Sequence, residues 1–432
     1  MATAASTGGI TNYGGAIRGP NSTVTIINVM DVNGNCTIDA ANSSGDFHLT
    51  GAWSGNGTLN VINFPNAART LTLGGGGSGG GSMANFTGTI NMGTNGGHLR
   101  FNDGGGNNNL GNPAMTLDMG TGAGDFTVRN GGVTVQFGAL TGGSATTISG
   151  RASGASGTVT YSIGALNTST TYGGNIRNSV NSTALTKVGT ASLTLSGTNT
   201  YTGLTVINDG TLRVDGALSG TTSVTVFGGT LAGNGAISGA VDVQSLATLS
   251  PGASIGKLTM TSSLTLQSGS TNVMEINKAA GTNDAVVGLA SVTYGGTLVI
   301  NNLAGTLADG DSFKLFDSAS YAGAYDTLQL PALGPFLFWD TSTLTVDGTI
   351  RVFTPRPGVT AFGIDGSNFF LTGTNNGNTS THYIIVTATA LTVPLASWTP
   401  VMTNTFDGGG NFAFTNAINT SEPTRFYNVK TP

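Results

Sequence analysis

The sequence is short of charge. Only 8% of its 432 residues are Asp, Glu, Lys or Arg, against roughly 25% in an ordinary soluble domain. Its surface must therefore be covered by hydroxyls and amides rather than by ions. Lys and Arg are few and scattered, and the formal net charge is -5. A nucleic-acid reader needs clustered cations, so no nucleic-acid partner is expected. Glutamate occurs only at Glu275 and Glu422. Cysteine occurs only at Cys36, which excludes an internal disulfide. A lone cysteine reads as a small buried hydrophobe, with a bridge between chains left open. No run of 18 apolar residues exists, and Pro335 to Trp339, the densest apolar patch, is far too short for a membrane-spanning helix. Ala, Leu, Glu and Lys never combine into a helical period over a dozen positions. Met1 to Ile10 lack the charged and apolar regions of a secretory signal. The composition looks extracellular, so the expectation is a signal removed before residue 1, or another export route.

What is present is glycine, at 70 positions, with Thr, Ser and Asn in most remaining polar places. Disorder does not follow from this. Disordered chains pair high net charge with few β-branched residues, and here Val, Ile and Thr are abundant. Short alternating runs bounded by Gly, Asn, Asp and Ser give a strand-and-turn pattern. It is clearest from about Leu185 to Val352. Apolar residues two apart recur: Leu193 and Leu195, Leu204 and Val206, Leu212 and Val214, Val224 and Val226, Val241 and Val243, Leu258 and Met260, Leu264 and Leu266. Such pairs point one strand face inward. Turn dipeptides separate them, among them Asp209-Gly210, Asp215-Gly216, Gly228-Gly229, Asn234-Gly235 and Pro251-Gly252. Two or three short strands per coil of a parallel β-solenoid fit this spacing, since no single coil buries a core alone. A sandwich has similar spacing, so periodicity does not decide.

The stretch LTKVGTASLTLSGTNTYTGLTVINDGTLRVDGALSG, Leu185 to Gly220, closely resembles the autotransporter-associated β-strand repeat of secreted bacterial passengers. Phe227 to Ser270 looks like its continuation. The likeness extends more weakly through YGGTLVINN and WDTSTLTVDGTIRV to Val352. The resemblance implies a right-handed parallel β-helix and export, and no catalytic residues. Autotransporters end in a large membrane barrel. None is read in this sequence, so self-secretion does not carry over.

The expected fold is all-β: a right-handed parallel β-solenoid followed by a small antiparallel β-sandwich. Residues 1–184 repeat the texture more loosely (STVTIINV, GTLNVINF, FTGTINMG, GGVTVQFG) and read as irregular coils. Residues 185–352 form the repeat-like solenoid. Gly74 to Ser82 reads as a protruding loop. After Thr354-Pro355-Arg356-Pro357 the strands lengthen and aromatics gather, so 353–432 reads as the sandwich module. It resembles short C-terminal β-modules of large secreted repeat proteins.

Some β-helices degrade polysaccharides with an Arg or Lys base beside Asp-bound calcium, or with paired carboxylates. The best such constellation is His98, Arg100 and Asp103. His98 and Arg100 share a strand face, and Asp103 opens the next turn. The plainer reading, preferred here, is the polar outer face of a coil. Asp209-Gly210 and Asp347-Gly348 suit tight turns. His48, His98 and His382 are far apart in sequence, no cysteine pair or EF-hand spacing exists, and Asp407 to Asn411 reads as a hairpin loop. Gly104 to Gly106 precede no helix, so they do not cradle phosphate. The Asn-x-Ser/Thr triplets at Asn21, Asn85 and Asn181 follow from composition. Trp53, Trp339, Trp398, Tyr383 and Tyr427 could stack on sugars but read mainly as core. No catalytic, metal or cofactor residue is assigned.

The leading functional expectation is a non-enzymatic filament, surface-layer or adhesin subunit joined head-to-tail through strand edges. A carbohydrate-binding or polysaccharide-degrading β-helix is the alternative. Ionisable side chains discriminate them, because catalysis needs tuned groups held together in a cleft.

Overall fold

The computed structural model describes residues 2–4, 9–19, 22–39, 45–62, 70–74, 83–94, 96–102, 109–151, 156–335, 337–375, 382–422 and 424–431. The protein is 56% strand and 2% helix. It divides into two compact units: Met1–Gly305 with Phe313–Pro331 and Ser342–Thr349, and Thr306–Ser312 with Ala332–Thr341 and Ile350–Pro432.

The first unit is a parallel β-solenoid with three walls. One wall is a single sheet of 14 strands, from Ala16–Arg18 to Tyr321–Gly323. The second begins as an eight-stranded sheet ending at Asn175–Arg177. It passes to a six-stranded sheet starting at Thr198–Asn199, where the Ile176 carbonyl accepts hydrogen bonds from Thr200 N and Tyr201 N. The third comprises four strands from Ile10–Asn12 to Asn85–Phe86, and then nine-stranded pairing from Thr170–Tyr172 to Thr327–Gln329. The opening Gly-Gly-Ile-Thr-Asn-Tyr-Gly-Gly supplies a wall strand, Ile10–Asn12, which pairs in parallel with Met30–Val32.

Parallel register puts like residues over like. Leu193, Leu212, Leu231 and Leu249 lie opposite one another in successive coils, and each is at most 1% exposed. Full burial of one such side chain contributes about 1.5–3 kcal/mol. In the wider N-terminal coils aromatics fill the interior. Phe101, Phe126 and Phe137 meet edge to face, with centroids 4.9–6.2 Å apart.

One expected pair is reversed. Leu204 is 54% exposed and Val206 is only half-buried, whereas Thr205 and Ile207 are fully buried. The threonine can turn inward because its hydroxyl is satisfied there. Thr205 Oγ1 lies 2.6 Å from Tyr201 Oη and 3.2 Å from Thr221 Oγ1. A partnered hydroxyl removes the burial penalty of a polar group, and Ile207 then joins the core.

Glycine is required where coils touch at their corners. A methyl group on Gly197, Gly216 or Gly235 would run into the carbonyl oxygen of Gly174, Gly197 or Gly216 respectively. These glycines form one column of close backbone approach, in which side chains have no room.

The second unit holds the sandwich. Gly358–Asp365, Asn368–Thr374 and Asn411–Ala417 form one antiparallel sheet, and Thr399–Thr405, His382–Ala388 and Phe426–Lys430 the other. Leu371, Phe412 and Phe414 from the first pack with Tyr383, Ile385 and Val429 from the second, together with Phe406.

Candidate functional site

Six successive strands of the eight-stranded sheet carry a polar strip: Phe47–Leu49, Thr70–Leu73, Gly97–Phe101, Gly124–Val128, Thr147–Arg151 and Asn175–Arg177. Their apolar positions, Phe47, Leu71, Leu99, Phe126, Ile148 and Ile176, point into the core and are at most 1% exposed. Alternation sends the intervening residues to the outer face, where Thr72, Thr127 and Ser149 are nonetheless at most 3% exposed. Thr70, His98 and Asp125 stand in one register row, and His48, Thr72, Arg100 and Thr127 in the next.

His98 sits between hydroxyls. Its Nδ1 is 3.4 Å from Thr70 Oγ1 and its Nε2 is 2.8 Å from Thr127 Oγ1. Asp125 Oδ2 lies 3.7 Å from Nε2, the two side chains being 19% and 27% exposed. Arg100 Nη2 donates to Thr72 Oγ1 at 3.0 Å, while its buried Nε has no hydrogen-bond partner among the described residues. Burial lowers the His98 pKa, and Arg100 lowers it further against the pull of Asp125. Burial and Arg100 likewise lower His48. Burial raises Asp125, opposed by His98, Arg177 and a hydrogen bond from Ser149. Both the acid and the imidazole are thus biased towards neutrality.

His98 and Arg100 share an outer face, as the sequence indicated. Their carboxylate neighbour is Asp125, from the following coil. Asp103 lies outside the described residues, as do Asn21, Gly104 to Gly106 and nearly all of the stretch Gly74 to Ser82. Asp125, Arg129 and Arg177 carried no sequence signal for this site, because the coils between them differ in length.

A second polar set points inward, in the coils after Thr183. Lys187 is 1% exposed, and its ammonium donates to the carbonyls of Val188 and Gly189 at 2.7 Å and of Asp209 at 3.3 Å. Burial pulls its pKa down to about 8. Asn199, fully buried, accepts from Ile176 N and donates to the carbonyls of Gly197 and Ala217. With Tyr201 and Thr205 these groups join consecutive coils from within. Residues 185–214 match the family model of the passenger-associated-transport-repeat. The match falls inside the stretch singled out in the sequence. The buried polar residues of this repeat, Lys187, Asn199, Tyr201 and Thr205, are internal ties between coils. No curated protein matches the chain.

The remaining candidates separate. Cys36 is buried, its Sγ donating to the Asn12 carbonyl at 3.1 Å. Trp53, Tyr383 and Trp398 are buried, Tyr427 stacks on Phe369, and Trp339 is half-buried. Asp209 and Asp407 each accept backbone hydrogen bonds within their own turns. His382 is exposed at the start of its strand. Among the described residues no group of three or more His, Cys, Asp or Glu is placed to hold a metal ion, and no helix is long and apolar enough to cross a membrane.

Sequence reasoning also missed Asp284. It is 1% exposed and accepts from Gly256 N at 2.7 Å and Glu275 N at 2.8 Å. Burial lifts its pKa to about 6, helped by the Glu275 charge and opposed by both backbone bonds. In the sandwich, Val359, Phe362, Ile364, Phe369, Phe426 and Tyr427 line an apolar groove of about 530 Å³.

Proposed function

We propose that the protein is a non-enzymatic exported scaffold that acts outside the cell as a filament, surface-layer or adhesin subunit. The observation that carries this reading is the wall of 14 parallel strands, built through and beyond a passenger-associated-transport-repeat. Its buried polar residues in the repeat coils bind backbone and one another rather than opening onto a cleft. A catalytic solenoid needs an acid and a base facing one another across a substrate. His98 and Asp125 instead touch side by side.

Self-association is proposed to run head to tail through a strand edge. Thr327–Gln329 is the outer strand of the nine-stranded sheet, and all three residues are exposed. On the six-stranded sheet the edge is occupied, since the Gly348 carbonyl accepts from Leu315 N and Phe316 N. At this end the six-stranded wall is therefore closed, while the nine-stranded wall offers pairing groups along Thr327–Gln329. Sedimentation at rising protein concentration, with negative-stain microscopy, tests the assembly. Polymers that persist in high salt are expected, because backbone pairing involves few charges to screen. Leu328→Lys should shorten or abolish them, a charge on an edge strand being a known block to pairing. A wild-type chain that stays monomeric at every concentration rules the head-to-tail contact out. Incubation with polygalacturonate, alginate and glucans tests the non-enzymatic reading, and any product overturns it.

A further inference from the structure

The strip on the eight-stranded wall gathers more cation than the sequence suggested. Arg100, Arg129 and Arg177 come from coils of different length, and parallel register sets Arg100 opposite Thr127 and Arg177 opposite Ser149 on the same wall. Arg100 and Arg129 both influence His48, and Arg177 influences Asp125. Arg129 and Arg177 are exposed, while Arg100 is half-buried with Nε unpartnered among the described residues. Nε is enclosed, but Thr72 holds the guanidinium in place and the side chain is partly exposed, so its outer nitrogens can meet an incoming oxygen anion.

We infer that this strip binds an anionic polysaccharide chain lying across the rungs of the wall. This rests on the scaffold reading above and gives that scaffold a ligand. Successive rungs are about 4.8 Å apart, close to the length of one sugar unit. A polymer bearing a carboxylate or sulfate on each repeat thus meets a new rung at each step. Arg100, Arg129 and Arg177 take the anionic groups. His48 and His98, kept neutral by burial, and the carboxyl group of Asp125 offer hydrogen bonds to sugar hydroxyls.

Binding of the full chain to polygalacturonate, alginate, dextran sulfate, neutral dextran and duplex DNA is measured by affinity electrophoresis and titration calorimetry. The expected result is binding to the uronate polymers, the sulfated polymer or both, weakening as salt rises, with none to dextran. Uronate binding alone assigns the carboxylate, and dextran sulfate alone assigns the sulfate ester. Arg100→Ala should weaken binding about tenfold or more, the range for one charge-assisted bond. The double variant Arg129→Ala/Arg177→Ala alters only exposed side chains and keeps the test valid should Arg100→Ala unfold. Equal binding to dextran, tighter binding to DNA, or wild-type affinity in the folded variants overturns the inference. Product release with Arg100-dependent binding would overturn the non-enzymatic reading alone. Absent binding without product would overturn this inference alone.

Discussion

The coils of residues 185–241 and those of residues 47–126 have the same three-walled plan and different lengths. In the first stretch Leu185 lies beside Thr205, Thr205 beside Val224 and Val224 beside Val241, separations of 20, 19 and 17 residues. In the second, Phe47 lies beside Leu71, Leu71 beside Leu99 and Leu99 beside Phe126, separations of 24, 28 and 27. A coil near the minimum has residues for three short strands and three corners, and nothing more. Each inward pair and each corner glycine then recurs at a nearly fixed interval. Longer coils fill a wider interior with aromatics, and their outer face carries the arginines and histidines. Regularity and chemical variety are therefore divided between two parts of one solenoid.

The sharpest way to break the comparison is at a corner of the short coils. Gly216→Val should destabilise by about 4 kcal/mol, because the new side chain meets the Gly197 carbonyl with no space to relax. Gly408→Ala, with nothing within 4 Å of the added atom, should stay within about 0.5 kcal/mol of wild type. Urea midpoints read both, and equal costs would refute the glycine column. Next in size is the phase of the strand at Thr205. Leu212→Ala should cost about 3 kcal/mol, the usual range for a buried leucine, and Leu204→Ala under about 0.5 kcal/mol. A large cost at Leu204 would restore the inward orientation expected from the sequence.

The smallest expected effect is a dependence on pH. The folded pKa of Asp284, about 6, lies above its ordinary 3.8. The native state therefore holds this proton more tightly than the unfolded chain. The associated stability is fully present below pH 3.8 and is lost as pH rises through 6. Asp284→Asn should remove that component from the midpoint measured between pH 4 and 7. An unchanged slope would assign it elsewhere.

Much of this was legible because parity is robust. Leu193, Leu195, Leu212 and Val214 sit in runs where the alternate positions are polar, so only one phase buries them. At Leu204-Thr205-Val206-Ile207 both phases contain an apolar residue. The decision rests on Tyr201 and Thr221, which sequence alternation does not reveal. Lys187 carries no sequence signal of its burial, which depends on three carbonyls that only the coil corner brings together. His98 and Arg100 are two apart on one strand, hence their shared face was readable. Asp125 is 27 residues from His98, in coils without a fixed period, so its approach was not.

The stacked walls have a mechanical consequence. Their hydrogen bonds lie along the stacking direction, so tension in that direction opens one coil-to-coil seam at a time instead of shearing many bonds together. A freed coil of some twenty residues can extend to about 65 Å of chain, having occupied about 4.8 Å of stack. Pulled in this way, the solenoid lengthens more than tenfold in discrete steps. The short coils around Leu212 should give the most uniform steps in a single-molecule force trace.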